Sequence, residues 1–206
     1  APAPSVRVDA ERQRLIESAG KLIHAGSYTA VTMEDICADA GVSQEQFHAH
    51  FPEKRDVAIA ALEWQFSLSQ VYVLGPAFAP DVAPMARISR FFQRAYEANM
   101  AGQAASGCML GCPFGNLVSE LGNKEPRIRE TVLGIYSGFC GYFKAALDEA
   151  VVQGEVTPHD TTRAAQALLA YFQGMMLLAV AHGDAGVIGT LASFPHTILG
   201  LPFERL

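Results

Sequence analysis

The stretch Thr32-Met-Glu-Asp-Ile-Cys-Ala-Asp-Ala-Gly-Val-Ser-Gln-Glu-Gln-Phe-His-Ala-His-Phe51 decides the fold. It reads as two short helices around a glycine. Thr32 with Asp35, and Ser43 with Gln46, each place a hydroxyl side chain three residues before a carboxylate or amide, the pattern of a capping box. Gly41 supplies the break between the helices. Ile36, Ala40, Val42, Phe47 and Phe51 fall where two crossed helices must touch. That leaves Gln44, Gln46, His48 and His50 on the outer face of the second helix. The pattern predicts a helix-turn-helix. Amides both donate and accept, which suits adenine edges in a major groove. Thr32 and Ser43 mark helix starts, whose free N–H groups hold phosphate. Lys54 lies just past the second helix, within reach of a nucleic-acid backbone.

Helical periodicity continues outward from this stretch, and no run alternates with period two. Leu15, Ala19, Leu22 and Ile23 form one stripe of a helix over 10–25, stopped by Gly26. A long helix is expected from Lys54 to about Leu74, then a Pro/Gly-rich link from Gly75 to Pro84. Further helices are expected over 85–101, from Cys112 or Pro113 to Leu121, and over 126–153 and 160–182. A Gly/Ala/Ser-rich connection is expected at 101–107. A weaker helix covers 185–200, strained by Pro195. The expected fold is all-α. An N-terminal three-helix head carrying the helix-turn-helix occupies residues 1–53. A C-terminal helical bundle for ligand binding and dimerisation occupies 54–206.

Half of the 206 residues are hydrophobic and 17% are charged, which supplies a sizeable core and excludes wholesale disorder. The formal charge of −6 argues against coating nucleic acid by bulk charge, though not against a small reading head. Over residues 1–63, six Lys and Arg meet ten Asp and Glu, leaving −4. Attraction to phosphate should therefore be weak and strongly sensitive to salt. Cys37, Cys108, Cys112 and Cys140 are too sparse for a secreted disulfide framework, and Ala1–Arg14 carries no secretory pattern. A cytoplasmic location is expected. The twenty uncharged residues 164–183 match a bilayer core in length. Gln166, Gln173 and His182 interrupt them, so a core or interface helix is expected there and no membrane partner.

Phe66, Phe92, Tyr96, Phe114, Phe139, Phe172 and Met175 are spread over several expected helices. Together they suit the wall of an apolar cavity for a small molecule, and each would serve equally as core. Ile128, Val132, Ile135, Phe139, Tyr142 and Ala146 recur at spacings of three and four. So do Ala164, Leu168, Tyr171, Met175 and Leu178. Two such helices from each subunit would build an intermolecular four-helix bundle, with Gly174 allowing close approach. An enzyme is not expected. The chain has no H-E-x-x-H, G-x-S-x-G, Walker or dinucleotide motif, and its carboxylates are scattered. No cofactor is implied.

From Arg14 through Leu62 the sequence resembles the TetR family of transcriptional regulators. The resemblance rests on a first helix ending Ala25-Gly26, then T-x-E-D-I-x-x-x-A-G-V-S from Thr32, then F-x-x-H-F-x-x-K from Phe47 to Lys54. It implies that Thr32, Ser43, Gln44, Gln46, His48, His50 and Lys54 face operator DNA. Three features depart from the family pattern: Gln44 and Glu45 replace the usual cation and glycine, and His48 replaces a phosphate-touching tyrosine. The head's −4 charge is the third. The run Gly111-Cys-Pro-Phe-Gly-Asn-Leu-Val-Ser-Glu120 is similar to the G-C-x-x-G-N-L-x-x-E signature of a subgroup responding to small reactive compounds such as acrylate-like acids, aldehydes and quinones. On that pattern Cys112 is the matching cysteine, Cys108 is an additional one, and Asn116 joins the ligand-binding set.

Three readings of these thiols stand side by side. One is a buried inert thiol. Another is a redox- or electrophile-sensing thiol at Cys112, where a helix start favours the thiolate, with Cys108 as a second reactive group. In the third, Cys-x3-Cys supplies two metal ligands, although no His or third Cys stands nearby, and no metal is expected. The resemblance implies a homodimeric, ligand-responsive regulator, a repressor, that binds a palindromic operator. A small apolar or electrophilic inducer would release it. The alternative is a helical small-molecule-binding protein with weak or lost DNA binding.

Overall fold

The computed structural model describes residues 4–156 and 160–194, and helices dominate it. The described chain forms two compact units. One comprises residues up to Ser67 together with Pro113–Val132. The other comprises Leu68–Cys112 and the chain from Leu133 onward.

The first unit is built on α1 (Pro4–Ala25), α2 (Met33–Ala40), α3 (Gln44–His50), α4 (Lys54–Ser69, up to Ser67) and α7 (Pro113–Leu121). Helix α1 starts six residues before the expected start, with a proline at its first position, where no N–H partner is lost. Gly41 ends α2 at φ +62°, a left-handed backbone that glycine adopts without a Cβ clash. Leu15, Ile36, Phe47 and Val57 are wholly buried, and Ala40, Val42 and Phe51 are nearly so. The five apolar positions of the opening stretch thus form the centre of one core.

The second unit takes over as α4 passes into a π-helical turn (Gln70–Leu74) and a short α5 (Gly75–Ala77). Helix therefore runs into the stretch expected to be a link, because Gly75 N–H bonds back to Gln70 and the turn carries on. Helix α6 (Pro84–Ser106) likewise covers the connection expected at 101–107. Ala101, Gln103, Ala104 and Ala105 are adequate helix formers, and the helix stops only at Gly107. Then follow α8 (Pro126–Gln153), α9 (Thr161–His182) and α10 (Gly186–Leu191). The expected strain at Pro195 lies outside the described residues.

Aromatic rings fill this second core. Phe91 meets Phe143 edge-on at 4.9 Å and Phe172 at 5.2 Å. Buried Arg87 pairs with Glu149 at 2.6 Å and donates to the Val82 carbonyl, holding the link before α6 against α8. Lys54–Ala77 and Thr161–His182 are long and apolar enough to cross a membrane by length and composition. In α9 part of that apolarity faces inward, where Leu168, Phe172, Met175 and Ala179 are buried, and part lies exposed at Leu177, Leu178 and Val180.

The stripes expected to pair two subunits also face inward. Ile128, Val132, Ile135, Phe139 and Ala146 on α8 are buried, as are Ala164, Leu168 and Met175 on α9, while Leu178, the last member of the α9 stripe, is exposed. Periodicity identifies an apolar stripe but not which partner covers it. The outward faces are different: Leu133, Gly134, Ser137 and Gly141 on α8, and Ala170, Gly174, Leu177 and Leu178 on α9.

Candidate nucleic-acid interface and ligand cavity

Both capping boxes of the helix-turn-helix form. The Thr32 hydroxyl accepts from Asp35 N–H at 3.1 Å, and the Asp35 carboxylate accepts from Thr32 N–H at 2.8 Å. Those bonds from Thr32 hold the Asp35 carboxyl below its ordinary value. Ser43 Oγ accepts from Gln46 N–H at 3.2 Å, and Gln46 Oε1 accepts from Ser43 N–H at 2.9 Å. Each box satisfies backbone donors that a helix start leaves open.

These bonds sort the residues expected at DNA. Gln44 and His48 stand exposed on the outer edge of α3, with Glu45 and Ala49. Gln44 Nε2 donates to Glu34 Oε1 at 3.0 Å across the turn. Gln46 is half-buried, and its carbonyl oxygen is engaged in the cap. His50 turns inward: its side chain is 7% exposed, and Nε2 lies 3.8 Å from Glu11 Oε2 on α1. One helical turn after buried Phe47, position 50 falls on the core side of α3.

Lys54 is also turned inward. Its ammonium donates to the Tyr28 and Val31 carbonyls at 2.8 Å each and lies 4.1 Å from the centre of the Tyr28 ring. Burial pushes its pKa down, opposed by the charge of Glu120. Other cations of the head are similarly engaged. Arg12 lies over Phe51, Arg14 donates to the Ala40 carbonyl, Lys21 pairs with Asp39, and Arg55 pairs with Glu53 and Glu125.

The loop between α1 and α2 is gripped from its other side by α7. The Glu120 carboxylate accepts from Tyr28 N–H at 3.0 Å, from Thr29 N–H at 2.8 Å, and from the Thr29 hydroxyl. Desolvation raises the Glu120 carboxyl, but the bonds from Thr29 and Tyr28 outweigh it and leave it below the ordinary range. Sequence reasoning quoted Glu120 only as the end of a motif. Its partners lie some 90 residues earlier in the chain, a distance that no local pattern bridges.

A cavity of about 620 Å³ opens between α1, α4 and α7 within this unit. Ala19, Gly20, Ala58, Ala61 and Leu117 supply apolar wall, and Gln65, Asn116, Ser119 and Glu120 supply polar groups. Of the expected ligand residues, Asn116 lines it. Phe66 and Phe114 belong to the same unit and meet edge-on at 6.4 Å.

The remaining expected ligand residues belong to the second unit. Phe92, Phe139, Phe172 and Met175 are buried in its core, with Phe92 and Phe172 at 6.3 Å. The ring of Tyr96 lies against Gly189, where a Cβ would meet it at 3.0 Å. Cys112 is buried, and Gln173 Nε2 donates to its sulfur at 3.4 Å. Tyr136 beside it has a strongly raised pKa, from burial first and the Cys112 charge second. Cys108 is exposed, in a loop bracketed by Gly107 and Gly111 at φ +79° and +80°. Those left-handed positions explain the glycine content that sets this segment apart from a core helix. Burial raises the thiol pKa of Cys37 and of Cys140. Among the described residues, no three His, Cys, Asp or Glu side chains gather as a metal site.

Residues 15–61 match the family described as bacterial regulatory proteins, tetR family, and residues 84–193 match the tetracyclin repressor-like C-terminal domain. The chain is 28% identical over 169 residues to the transcriptional regulator AcuR of Cereibacter sphaeroides, covering 81% of this chain and 75% of that protein. It is 24% identical over 177 residues to an HTH-type transcriptional regulator of the lacX 3' region in Lactococcus lactis, covering 86% and 87%. The crystal structure of the regulatory protein TetR from Rhodobacter sphaeroides superposes with a TM-score of 0.77 at 26% identity, covering 89% of this chain and 96% of that one. With matches across both the helix-turn-helix and the C-terminal helices, the chain belongs to the TetR family: it is a DNA-binding transcriptional regulator and not an enzyme.

Proposed function

We propose that the protein is a cytoplasmic, ligand-responsive repressor that binds a palindromic operator as a homodimer and is released by a small apolar or electrophilic compound. Residues 1–53 read DNA, and residues 54–206 bind the inducer and dimerise. The reading rests above all on the outer edge of α3, where Gln44 and His48 stand exposed on a helix whose start is held by a reciprocal cap. Gln44 and His48 take base edges. Thr32 and Ser43 hold the starts of α2 and α3 against the phosphates. Gln46, His50 and Lys54 act from behind, by fixing the helices that carry the contacts.

The outward stripes of α8 and α9 suit a subunit interface. Leu177 is 71% exposed and Leu133 56%, and a Cβ at Gly134, Gly141 or Gly174 would meet nothing within 4 Å. Apolar side chains around open glycines favour close approach of helices from a second copy. On the inducer side, Phe92, Tyr96, Phe139, Phe172 and Met175 supply apolar surface within one unit, and Phe66, Phe114 and Asn116 supply ligand contacts within the other. Gln173 Nε2 donates to the Cys112 sulfur, and the resemblance to the reactive-compound subgroup assigns Cys112 the electrophile, with Cys108 as a second thiol. Binding shifts a pre-existing equilibrium between DNA-competent and released states.

Gel-shift titration with a duplex selected from a random library tests the reading. A palindromic duplex bound by one dimer, and released by acrylate or N-ethylmaleimide, is the expected result. A selection that yields no enriched duplex favours instead a helical small-molecule-binding protein with lost DNA binding. The engagement of Arg14, Lys21, Lys54 and Arg55 by the protein's own carbonyls and carboxylates is the observation on that side.

A further inference from the structure

We infer that the cavity between α1, α4 and α7 is a ligand site in its own right, separate from the Cys112 setting, and that it takes a small uncharged molecule with an apolar body and a hydrogen-bonding head. Its volume of about 620 Å³ lies in the range of small-molecule sites. Close-packed helices rarely leave such a space, because each void forfeits contacts. Here small side chains on facing helices create it: Ala19 and Gly20 on α1, and Ala58 and Ala61 on α4. Gly20 is part of the design, since a Cβ there would lie 3.3 Å from Gln65 Nε2. Any longer apolar residue at these positions would fill the space with core.

The polar groups converge from four elements: His24 on α1, Ser27 in the α1–α2 loop, Gln65 on α4, and Asn116 and Ser119 on α7. Among them the amides and hydroxyls both donate and accept and so match a neutral head such as a carboxamide or alcohol. The one carboxylate on the wall, Glu120, decides the charge. No Lys or Arg lines the cavity, where His24 is the one wall residue able to become cationic, so Glu120 leaves the wall unfavourable to an anion. A cation gains little, because three donors from Tyr28 and Thr29 already hold that carboxylate and the Lys54 ammonium lies close enough to feel its charge. An occupant touching Glu120 therefore touches the group that grips the loop leading into α2. Occupancy of the site is independent of the repressor reading; only its consequence for operator affinity rests on that reading.

Benzamide, benzoate and benzamidine, three near-isosteres of different charge, test the site. The readout is the amide chemical shifts of Gly20, Tyr28 and Thr29 in the isotope-labelled full chain. Benzamide should shift these signals saturably at millimolar concentration, with benzoate and benzamidine at least about tenfold weaker. Glu120→Gln should bring benzoate to within about threefold of benzamide, because the repelling charge is gone. Ala61→Leu fills the cavity, and Asn116→Trp covers it from an exposed position that tolerates a large side chain. Both should abolish the benzamide shifts, and Asn116→Trp keeps the test open if Ala61→Leu fails to fold. Absence of benzamide shifts in the wild type, a charged isostere binding as well as benzamide, or shifts that survive Asn116→Trp would each overturn the inference. None of these readouts involves DNA, so a failure here is distinct from a failure of the repressor reading.

Discussion

Glu120 and Thr29 are joined twice, through the backbone N–H and through the hydroxyl of Thr29, across 91 positions of sequence. With Lys54 holding the Tyr28 and Val31 carbonyls, donors and acceptors of one short loop are each bound by a charged group. Thr32, the cap of α2, follows directly.

Glu120→Ala should destabilise the protein by about 1–3 kcal/mol in urea unfolding, since two N–H donors and a hydroxyl lose a charged acceptor. The effect should depend on pH in a defined direction. The carboxyl lies below its ordinary value of 4.5 when folded. Its contribution is therefore complete above the unfolded value and fades as pH falls through the folded one. The stability difference between wild type and Glu120→Ala should shrink on acidification below pH about 4. A difference that stays constant or grows would remove the charge from the account.

Lys54→Met should lower stability by about 1–3 kcal/mol and weaken binding to every duplex alike. The salt dependence separates a strut from a phosphate contact. A strut leaves the slope of log affinity against log salt unchanged, whereas a lost phosphate contact flattens it by about 0.9. For the same reason the wild-type slope should be shallow, contrary to the steep one that a cation-driven reading head implies.

Gln46→Ala should cost about 0.5–2 kcal/mol of stability through the cap of α3, and Gln46→Glu should restore most of it. Base preference should respond instead to Gln44→Ala, by about 1–3 kcal/mol at one position of the duplex. Selection experiments in which Gln46→Glu shifts the preferred base and Gln44→Ala does not would reverse these assignments.

Leu177→Asp and Gly174→Leu should both raise the monomer fraction in light scattering, the first by burying a charge and the second by blocking close approach. Leu168→Ala, on the inward stripe, should instead lower stability by about 2–5 kcal/mol. A dimer indifferent to both outward substitutions would place the interface elsewhere.

The cysteines should label in a fixed order with limiting maleimide. Exposed Cys108 reacts first and buried Cys112 second, while Cys37 and Cys140, whose thiols burial holds protonated, react only after unfolding. Cys112→Ser should abolish release from DNA by the reagent, and Cys108→Ser should not. Peptide mapping by mass spectrometry, read beside the gel shift, checks both.

Local chemistry was enough to read the helices and the head. A capping box joins residues three apart, and a helical stripe repeats within one turn, so Thr32 with Asp35, Ser43 with Gln46 and the buried run Ile36 to Phe51 are all legible from short windows. The reach of α6 to Ser106 was also a local property, obscured by Gly102, which a long helix tolerates. What tertiary structure alone decided was the direction of each face and the partner of each charge. Leu178 aside, the α8 and α9 stripes read as interface but face their own core, because an apolar stripe carries no mark of which surface covers it. Lys54 reads as a phosphate contact until the carbonyls of Tyr28 and Val31 appear beside it. Glu120, Gln173 and the alanine-walled cavity depend on residues distant in the chain. Their chemistry exists only where the fold closes those distances.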